Sequence, residues 1–246
     1  MNFASMKKPK TLGILGGMGP EATLCLFSLI IKNTDAIKDQ EHIPVIIYNN
    51  PQIPDRTKHI VYGEESPLPM LIEGAKFLEK SGADAILIPC NTAHFYAPQI
   101  KELIAVPIID MIETTAKFIK DREGESCKVG VLATTGTIRS NLYQKSLAKE
   151  GIDSITLSPE EQEELVMEAI YGKKGVKAGF KKYPARLLKQ AASLLCDRGA
   201  QYIIAGCTEI PLVLTGKELE CNFINTMELL AREAIKFCDP QKLCKH

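Results

Sequence analysis

Cys90 closes the run GADAILIPC and Cys207 closes RGAQYIIAGC, and each is followed by a polar pair, Asn91-Thr92 in one case and Thr208-Glu209 in the other. Such pairs at the end of a buried apolar run are costly unless something hydrogen-bonds them. A thiol has a free pKa of about 8.5, so ionising it near pH 7 costs only about 2 kcal/mol, and it serves as either acid or base. Two thiols addressing one ligand from opposite sides suit removal of a proton from one face of a carbon and return of a proton on the other, which is racemisation or epimerisation. One sulfur must then be thiolate and the other thiol, with the roles exchanged in the reverse direction.

The carbanion formed in such a step needs donors already aimed at the substrate carboxylate. Candidates are Asn91, Thr92, Thr135, Thr137 and Thr208, with the backbone N–H groups of Gly16-Gly17-Met18-Gly19 at an expected helix start. That loop lacks GxGxxG spacing, so no dinucleotide is expected. His94 and Glu209 lie near the thiols in sequence; each either tunes a thiol and relays protons or makes an ordinary hydrogen bond, and both readings stay open. The other cysteines carry less. Cys25 and Cys196 fall in amphipathic runs, and Cys127, Cys221, Cys238 and Cys244 have no polar cluster around them. Without a CxxC pair, and with His94 the only histidine near Cys90 or Cys207, no metal is expected. A long, core-rich chain of this kind is expected to keep its thiols reduced.

The elements that must position these groups follow from the apolar pattern. TLGILG, PVIIY, DAILIP, VPIID, KVGVLA, YIIAG and NFIN read as buried strands with little polar alternation, as in a parallel sheet covered on both faces. Between them lie helical patterns, such as Leu68, Leu71, Ile72, Ala75 and Leu78, or Leu187, Leu188, Ala191, Leu194 and Leu195, which end near Gly82 and Gly199. Ser158, Pro159 and Glu161 supply a cap, a first-turn proline and a capping-box acid, so the acidic run SPEEQEELVMEAIYG reads as a helix with a solvated face. The fold class is α/β.

The chain also repeats itself. TLGILGGMGPEAT aligns without gaps on KVGVLATTGTIRS, and SGADAILIPCNTAHF on RGAQYIIAGCTEIPL, both at an offset of 117 (207 minus 90). A shared register between two separate segments indicates a duplicated unit. Two similar Rossmann-like lobes related by a pseudo-two-fold axis are therefore expected, each lending one cysteine to the cleft between them. PIIDM and FINTM match at 116, so residues 1–112 with 213–246 are assigned to the lobe of Cys90, and 113–212 to the lobe of Cys207. Ligands of open parallel sheets bind beyond the carboxyl ends of the strands, where both cysteines fall.

Composition limits the remaining classes. The 246 residues carry 30 basic and 30 acidic side chains, leaving no charged footprint for nucleic acid, although Lys173, Lys174 and Lys177 could serve a small anion. No stretch approaches the roughly 20 apolar residues of a membrane span, and MNFASMKKPK lacks a secretory apolar region, so a cytoplasmic protein is expected.

With LGILGGMGPEAT, NNPQIPDRT, IPCNTAH, LATTGTI, IYGKKGVKAG and IIAGCTEIP in order, the chain resembles the cofactor-independent aspartate/glutamate racemase superfamily, most closely its aspartate branch. The resemblance implies a pyridoxal-independent two-base racemase, with no cofactor, acting on an acidic amino acid, and a homodimer. By motif, Cys90 and Cys207 become the acid/base pair, and Arg56 and Lys177 match positions near the substrate's acidic groups. Met18, Gly19 and Asn49 fall in motifs that line the site, although Asn49-Asn50-Pro51-Gln52 also reads as a plain turn. Glutamate racemases of the superfamily typically carry histidine where Glu209 stands, which favours aspartate. Alternatives are a racemase of glutamate or broader substrates, a related isomerase or decarboxylase acting on other carboxylates, a binding protein that closes on an acidic amino acid without turnover, and a dithiol redox protein, which needs cysteine Cα atoms within about 7 Å.

Overall fold

The computed structural model describes residues 9–123 and 127–244; the first eight residues of the N-terminal stretch considered above lie outside them. The first repeat builds β1 (Leu12–Gly16), α1 (Pro20–Asn33), β2 (Val45–Asn49), α2 (Arg56–Tyr62), α3 (Leu68–Lys80), β3 (Ala85–Leu87), α4 (Ala97–Lys101) and α5 (Met111–Glu123). Its strands are all parallel, in the order β2-β1-β3. VPIID forms only one parallel bridge, Ile108 to Ile86, at the open edge beside β3.

The second repeat builds β4 (Lys128–Ala133), α6 (Thr135–Arg139), α7 (Leu142–Lys149), β5 (Asp153–Ile155), α8 (Pro159–Glu161), α9 (Glu168–Tyr171), α10 (Lys182–Asp197), β6 (Tyr202–Gly206), β7 (Asn222–Asn225) and α11 (Thr226–Cys238). Its sheet is parallel, in the order β5-β4-β6-β7. With the Ile108 bridge in the place of β7, the two sheets have the same order, as a duplicated unit requires. β5 was not expected: three residues of partial burial, beginning with Asp153, carry little strand signal.

Local chemistry explains the helices on which the site depends. Pro20 sits in the first turn of α1, and Ala22, Leu26 and Ile30 bury one face of it. Asp55 caps α2 by accepting from the Lys58 N–H, which fixes Arg56 as the first helical residue. Ser158 and Glu161 form the complete capping box read from the sequence. Between α8 and α9, residues Gln162–Met167 widen into a π-helical turn, a feature frequent at functional sites.

Each sheet is covered on both faces. Leu12 and Ile14 of β1 face α1, whereas Leu15 faces α3. In the second sheet, Val129 and Val131 meet α7, while Leu132 and Ile203 meet α10. The helices that follow the edge strands are exchanged between lobes. Ile112, Ala116 and Ile119 of α5 pack into the core of the second sheet, and Met227, Leu230, Ala231 and Ala234 of α11 pack with Leu12, Ala22 and Leu26 in the first. The chain after residue 212 is therefore divided: β7 pairs with β6 in the second sheet, whereas α11 and the segment that follows it, bridged from Leu243 to Thr34, lie against the first lobe.

Two contacts join the lobes near the site. α6 approaches α2 at Gly136, where an added Cβ would come within 2.9 Å of the Thr57 Cα. Beside it, Thr92 Oγ1 lies 2.8 Å from Thr137 Oγ1 and 3.0 Å from Thr134 Oγ1, and Thr57 donates to Thr134 across 3.3 Å.

The cysteines bring one correction. Cys196 at the end of α10 and Cys221 just before β7 form a disulfide, with Cα atoms 6.1 Å apart, where reduced thiols were expected. Their separation of 25 residues hid the pairing, because only the return of the chain to β6 brings the two segments together. Cys25, Cys90, Cys127, Cys207, Cys238 and Cys244 are free.

Candidate active site

The carboxyl ends of β1, β3, β4 and β6 converge on a narrow cleft between the lobes. Met18, Arg56, Thr57, Cys90, Asn91, Thr92, Thr134, Tyr171, Lys177, Cys207, Thr208 and Glu209 line it. Cys90 belongs to the core cluster of the first lobe and Cys207 to that of the second, each 6% exposed. The cleft opens outward into a wider depression floored by Gly17, Met18 and Gly19, with Arg56, Lys177 and Glu209 common to both spaces. These three charged side chains form the throat.

The glycine loop is shaped by steric need. Gly17 has φ of 99°, and a Cβ there would lie 2.3 Å from the Asn50 carbonyl carbon, so only glycine lets the loop lie against the end of β2. The Gly17 N–H donates to Thr23 Oγ1, which ties the loop to the first turn of α1. Gly19 then caps the helix without a side chain, leaving its N-terminal face open toward Glu209 Oε1 and Lys177 Nζ.

Two donors in the cleft wall have no hydrogen-bond partner among the described residues. Arg56 gives Nη1 to the carbonyls of Ile53 and Pro54 and Nη2 to that of Met18, and its buried Nε is unpartnered. Asn91 accepts from the Tyr143 hydroxyl through Oδ1, which fixes the amide orientation and leaves buried Nδ2 unpartnered. An unpaired buried donor is costly, so both remain available to an acceptor.

The two sulfurs have different neighbours. Cys207 donates its S–H to Glu209 Oε2 at 3.0 Å, and the Thr208 hydroxyl donates to the same oxygen. The other carboxylate oxygen, Oε1, accepts from Lys177 Nζ at 2.6 Å. Burial pushes the Cys207 thiol well up, and the Glu209 charge pushes it further. Burial works to raise the Glu209 carboxyl, but the Lys177 charge, together with the Cys207 thiol, outweighs it and holds Glu209 below the ordinary range. Cys90 instead faces the Arg56 guanidinium, whose pKa burial works to lower and the Cys90 sulfur raises, with a net rise.

The expected residues divide in three ways. Met18, Arg56, Cys90, Asn91, Thr92, Lys177, Cys207, Thr208 and Glu209 come together around the cleft, and Gly19 lies at its mouth. Thr137 lies behind Thr92, fully buried, with its hydroxyl engaged by Thr92 and Thr134. Three residues turn elsewhere. Thr135 donates to Glu163 Oε1 on the π-helical turn, and its place in the cleft is taken by Thr134. Asn49 is exposed at the end of β2. His94 has both nitrogens engaged by backbone, Nδ1 with the Cys90 carbonyl at 2.9 Å and Nε2 with the Met111 N–H at 3.1 Å, so it braces the Cys90 loop and faces neither sulfur. Lys173 and Lys174 are exposed and are not among the residues lining the cleft or its mouth.

Thr57, Thr134 and Tyr171 line the cleft without having been singled out from the sequence. Their signals were present in PDRT, LATTGTI and IYGKKG, the motifs that carry Arg56, Thr137 and Lys177. Burial raises the Tyr171 hydroxyl, and the Lys177 ammonium sits 5.5 Å from its ring centroid. Among the described residues there is no group of three His, Cys, Asp or Glu suited to a metal, and no helix long and apolar enough to cross a membrane.

The Asp/Glu/hydantoin racemase family profile matches residues 15–234. A broad-specificity amino-acid racemase, RacX, of Bacillus subtilis is 30% identical over 228 residues, covering 91% of this chain and 96% of the relative. The aspartate racemase of Picrophilus torridus has the same fold, with a TM-score of 0.80 and 30% identity over 93% of this chain and 94% of that one. A glutamate racemase of Aquifex pyrophilus is 29% identical over 182 residues, covering 71% of this chain and 65% of the relative.

Proposed function

The chain belongs to the Asp/Glu/hydantoin racemase family and is an amino-acid racemase; we propose that it interconverts L- and D-aspartate without pyridoxal, using Cys90 and Cys207 as the two proton-transfer groups. The observation that carries the proposal is the arrangement of two free, buried thiols, one per lobe, around a cleft whose wall also holds the unpartnered donors Arg56 Nε and Asn91 Nδ2.

The substrate's α-hydrogen is removed by the thiolate on one face while the thiol on the other gives its proton to the carbanion. Charge developing on the α-carboxylate is met by Asn91 Nδ2, Arg56 Nε and the open N-terminus of α1 at Gly19. A second carboxylate is accommodated by the throat, where Arg56 supplies fixed donors and Lys177 a mobile point charge. Because each thiol comes from an equivalent strand end, either enantiomer meets a sulfur on the face bearing its hydrogen.

The Picrophilus aspartate racemase, similar over nearly the whole chain, supports aspartate. The RacX match supports a second reading, broader specificity on the same chemistry. Purified protein in heavy water is expected to exchange the α-proton of L-aspartate and form D-aspartate without added cofactor. Cys90→Ala and Cys207→Ala should each abolish racemisation, and full activity in either variant would defeat the two-thiol scheme. Faster turnover of glutamate or neutral amino acids than of aspartate would replace the substrate assignment with the broader one.

A further inference from the structure

The duplication makes the two thiols equivalent in position, but their neighbours are not equivalent. At the offset of 117, Glu209 corresponds to Thr92 (209 minus 117), so only Cys207 has a carboxylate two residues on. Thr92 instead shares its hydroxyl with Thr134 and Thr137. Resting on the racemase reading above, we propose that Glu209 is the base that converts Cys207 to its thiolate, and that Lys177 restrains Glu209 until a substrate carboxylate draws the ammonium away.

The geometry supplies each part. Glu209 is 6% exposed and uses both oxygens, Oε2 on the Cys207 thiol at 3.0 Å and Oε1 on Lys177 at 2.6 Å. Lys177 is the partner nearer solvent: its side chain is 28% exposed, against 8% for Glu209, and both stand where the outer depression meets the inner cleft. An anion passing the throat therefore meets the ammonium at the point where it is bound to Glu209. The groups facing the carboxylate are few, namely Lys177, the Cys207 thiol, the Thr208 hydroxyl and the bare Gly19 turn, with Arg56 and Tyr171 beyond them.

While paired to Lys177, Glu209 is a weak base, and the buried Cys207 stays protonated, in accord with the directions of both shifts. The Lys177 charge favours both the Glu209 carboxylate and a Cys207 thiolate, but it is hydrogen-bonded only to Glu209, so when it turns to the incoming carboxylate Glu209 loses more and becomes the stronger base. The Cys207 S–H bond then breaks and a Glu209 O–H bond forms, giving a thiolate and a neutral carboxylic acid. One proton moves by one hydrogen-bond length and net charge is unchanged. The negative charge now sits on the sulfur facing the α-carbon, and it arises only with substrate bound. If the ligand leaves without turnover, Lys177 rebinds Glu209 and the proton returns to Cys207; after a turnover Cys207 already carries the α-hydrogen, so Glu209 gives up its proton to water entering the emptied cleft and the Cys90 thiolate, which protonated the carbanion, takes one back.

The test reads thiolate directly. In Cys90→Ser, where Cys207 is the remaining thiol of the pair, saturating succinate serves as an achiral dicarboxylate probe, with binding followed by calorimetry and thiolate by ultraviolet difference absorbance near neutral pH. A rise equivalent to one thiolate is expected on binding. It should vanish in Cys90→Ser/Glu209→Gln and partly return in Cys90→Ser/Glu209→Asp, whereas a merely structural role for Glu209 would not track the ability to accept a proton. In Glu209→Gln alone, kcat/KM should fall by roughly 10²-fold or more for both enantiomers, and equally, because their equilibrium constant is unity. An undiminished rise in the Gln double variant overturns the proposal, as does succinate binding without any rise in Cys90→Ser. Failure of succinate to bind at all overturns the dicarboxylate reading of the site, and this inference with it.

Discussion

Arg56, under the proposed function, would have much of its orientation set before any ligand arrives. Its guanidinium is held by the carbonyls of Ile53, Pro54 and Met18, so the orientation of the remaining donors is set by the backbone of two loops. Lysine would keep the charge and lose the planar fork that bridges those carbonyls. Hydrogen bonds of a charged donor contribute about 1.5–3 kcal/mol each, and part of that loss falls on the loop that carries Met18. Arg56→Lys is therefore expected to lower kcat/KM for aspartate by roughly 10²-fold, with a circular dichroism spectrum like that of the parent; activity within about threefold would mean that charge alone suffices. The cysteines were legible at this scale because each ends a strand and the two share a register. Thr134 went unnamed beside Thr135 because neighbouring residues at a helix start point in different directions, and only the contact of Thr135 with the π-helical turn shows which of them lines the cleft. For Asn49 and His94 the sequence left two readings open, and the structure shows an exposed Asn49 and a His94 that makes ordinary hydrogen bonds to backbone, because adjacency in sequence does not set the direction of a side chain.

Among the elements, β6 is the most constrained, since Cys207 directly follows it and the disulfide spans it from the end of α10 to the start of β7. Closing a loop of 25 residues restricts the unfolded chain and contributes about 3 kcal/mol. Cys196→Ser is expected to lower unfolding stability by about that amount, read as a fall in the denaturant midpoint in non-reducing buffer. In the presence of a strong reductant the parent and the variant should converge; equal midpoints without reductant would show that the pair contributes nothing. Six of the seven expected strands appear as strands, and VPIID as a bridge, because apolar runs bounded by turns are a strong local signal. β5 and the disulfide were hidden for the opposite reason. β5 exists because β4 offers it an edge to pair with, and the disulfide because two distant segments flank the same strand.

The whole molecule is held as one unit by the exchange of α5 and α11. A repeat of strands and helices could in principle fold as two independent halves, and the register of 117 residues suggests such an ancestry. The cores do not respect that division. Met227, Leu230, Ala231, Ala234 and Ile235 of α11 are buried against β1 and α1 of the first lobe, while Ile112, Ala116 and Ile119 of α5 complete the core beneath β4 in the second. Removing the five α11 side chains from the first core would expose apolar surface worth about 1.5–3 kcal/mol for each larger residue, comparable to the whole 5–15 kcal/mol by which a typical domain is stable. Neither lobe can therefore melt while the other stays native, and calorimetry is expected to give one transition with equal calorimetric and van't Hoff enthalpies per folding unit. Two resolved transitions, or native-like stability of residues 9–110 expressed alone, would show that the exchanged helices are dispensable. The same coupling bears on function. Lys177 and Cys207 stand on one lobe and Arg56 and Cys90 on the other, so the distance across which a substrate is held depends on the packing of helices that belong to both.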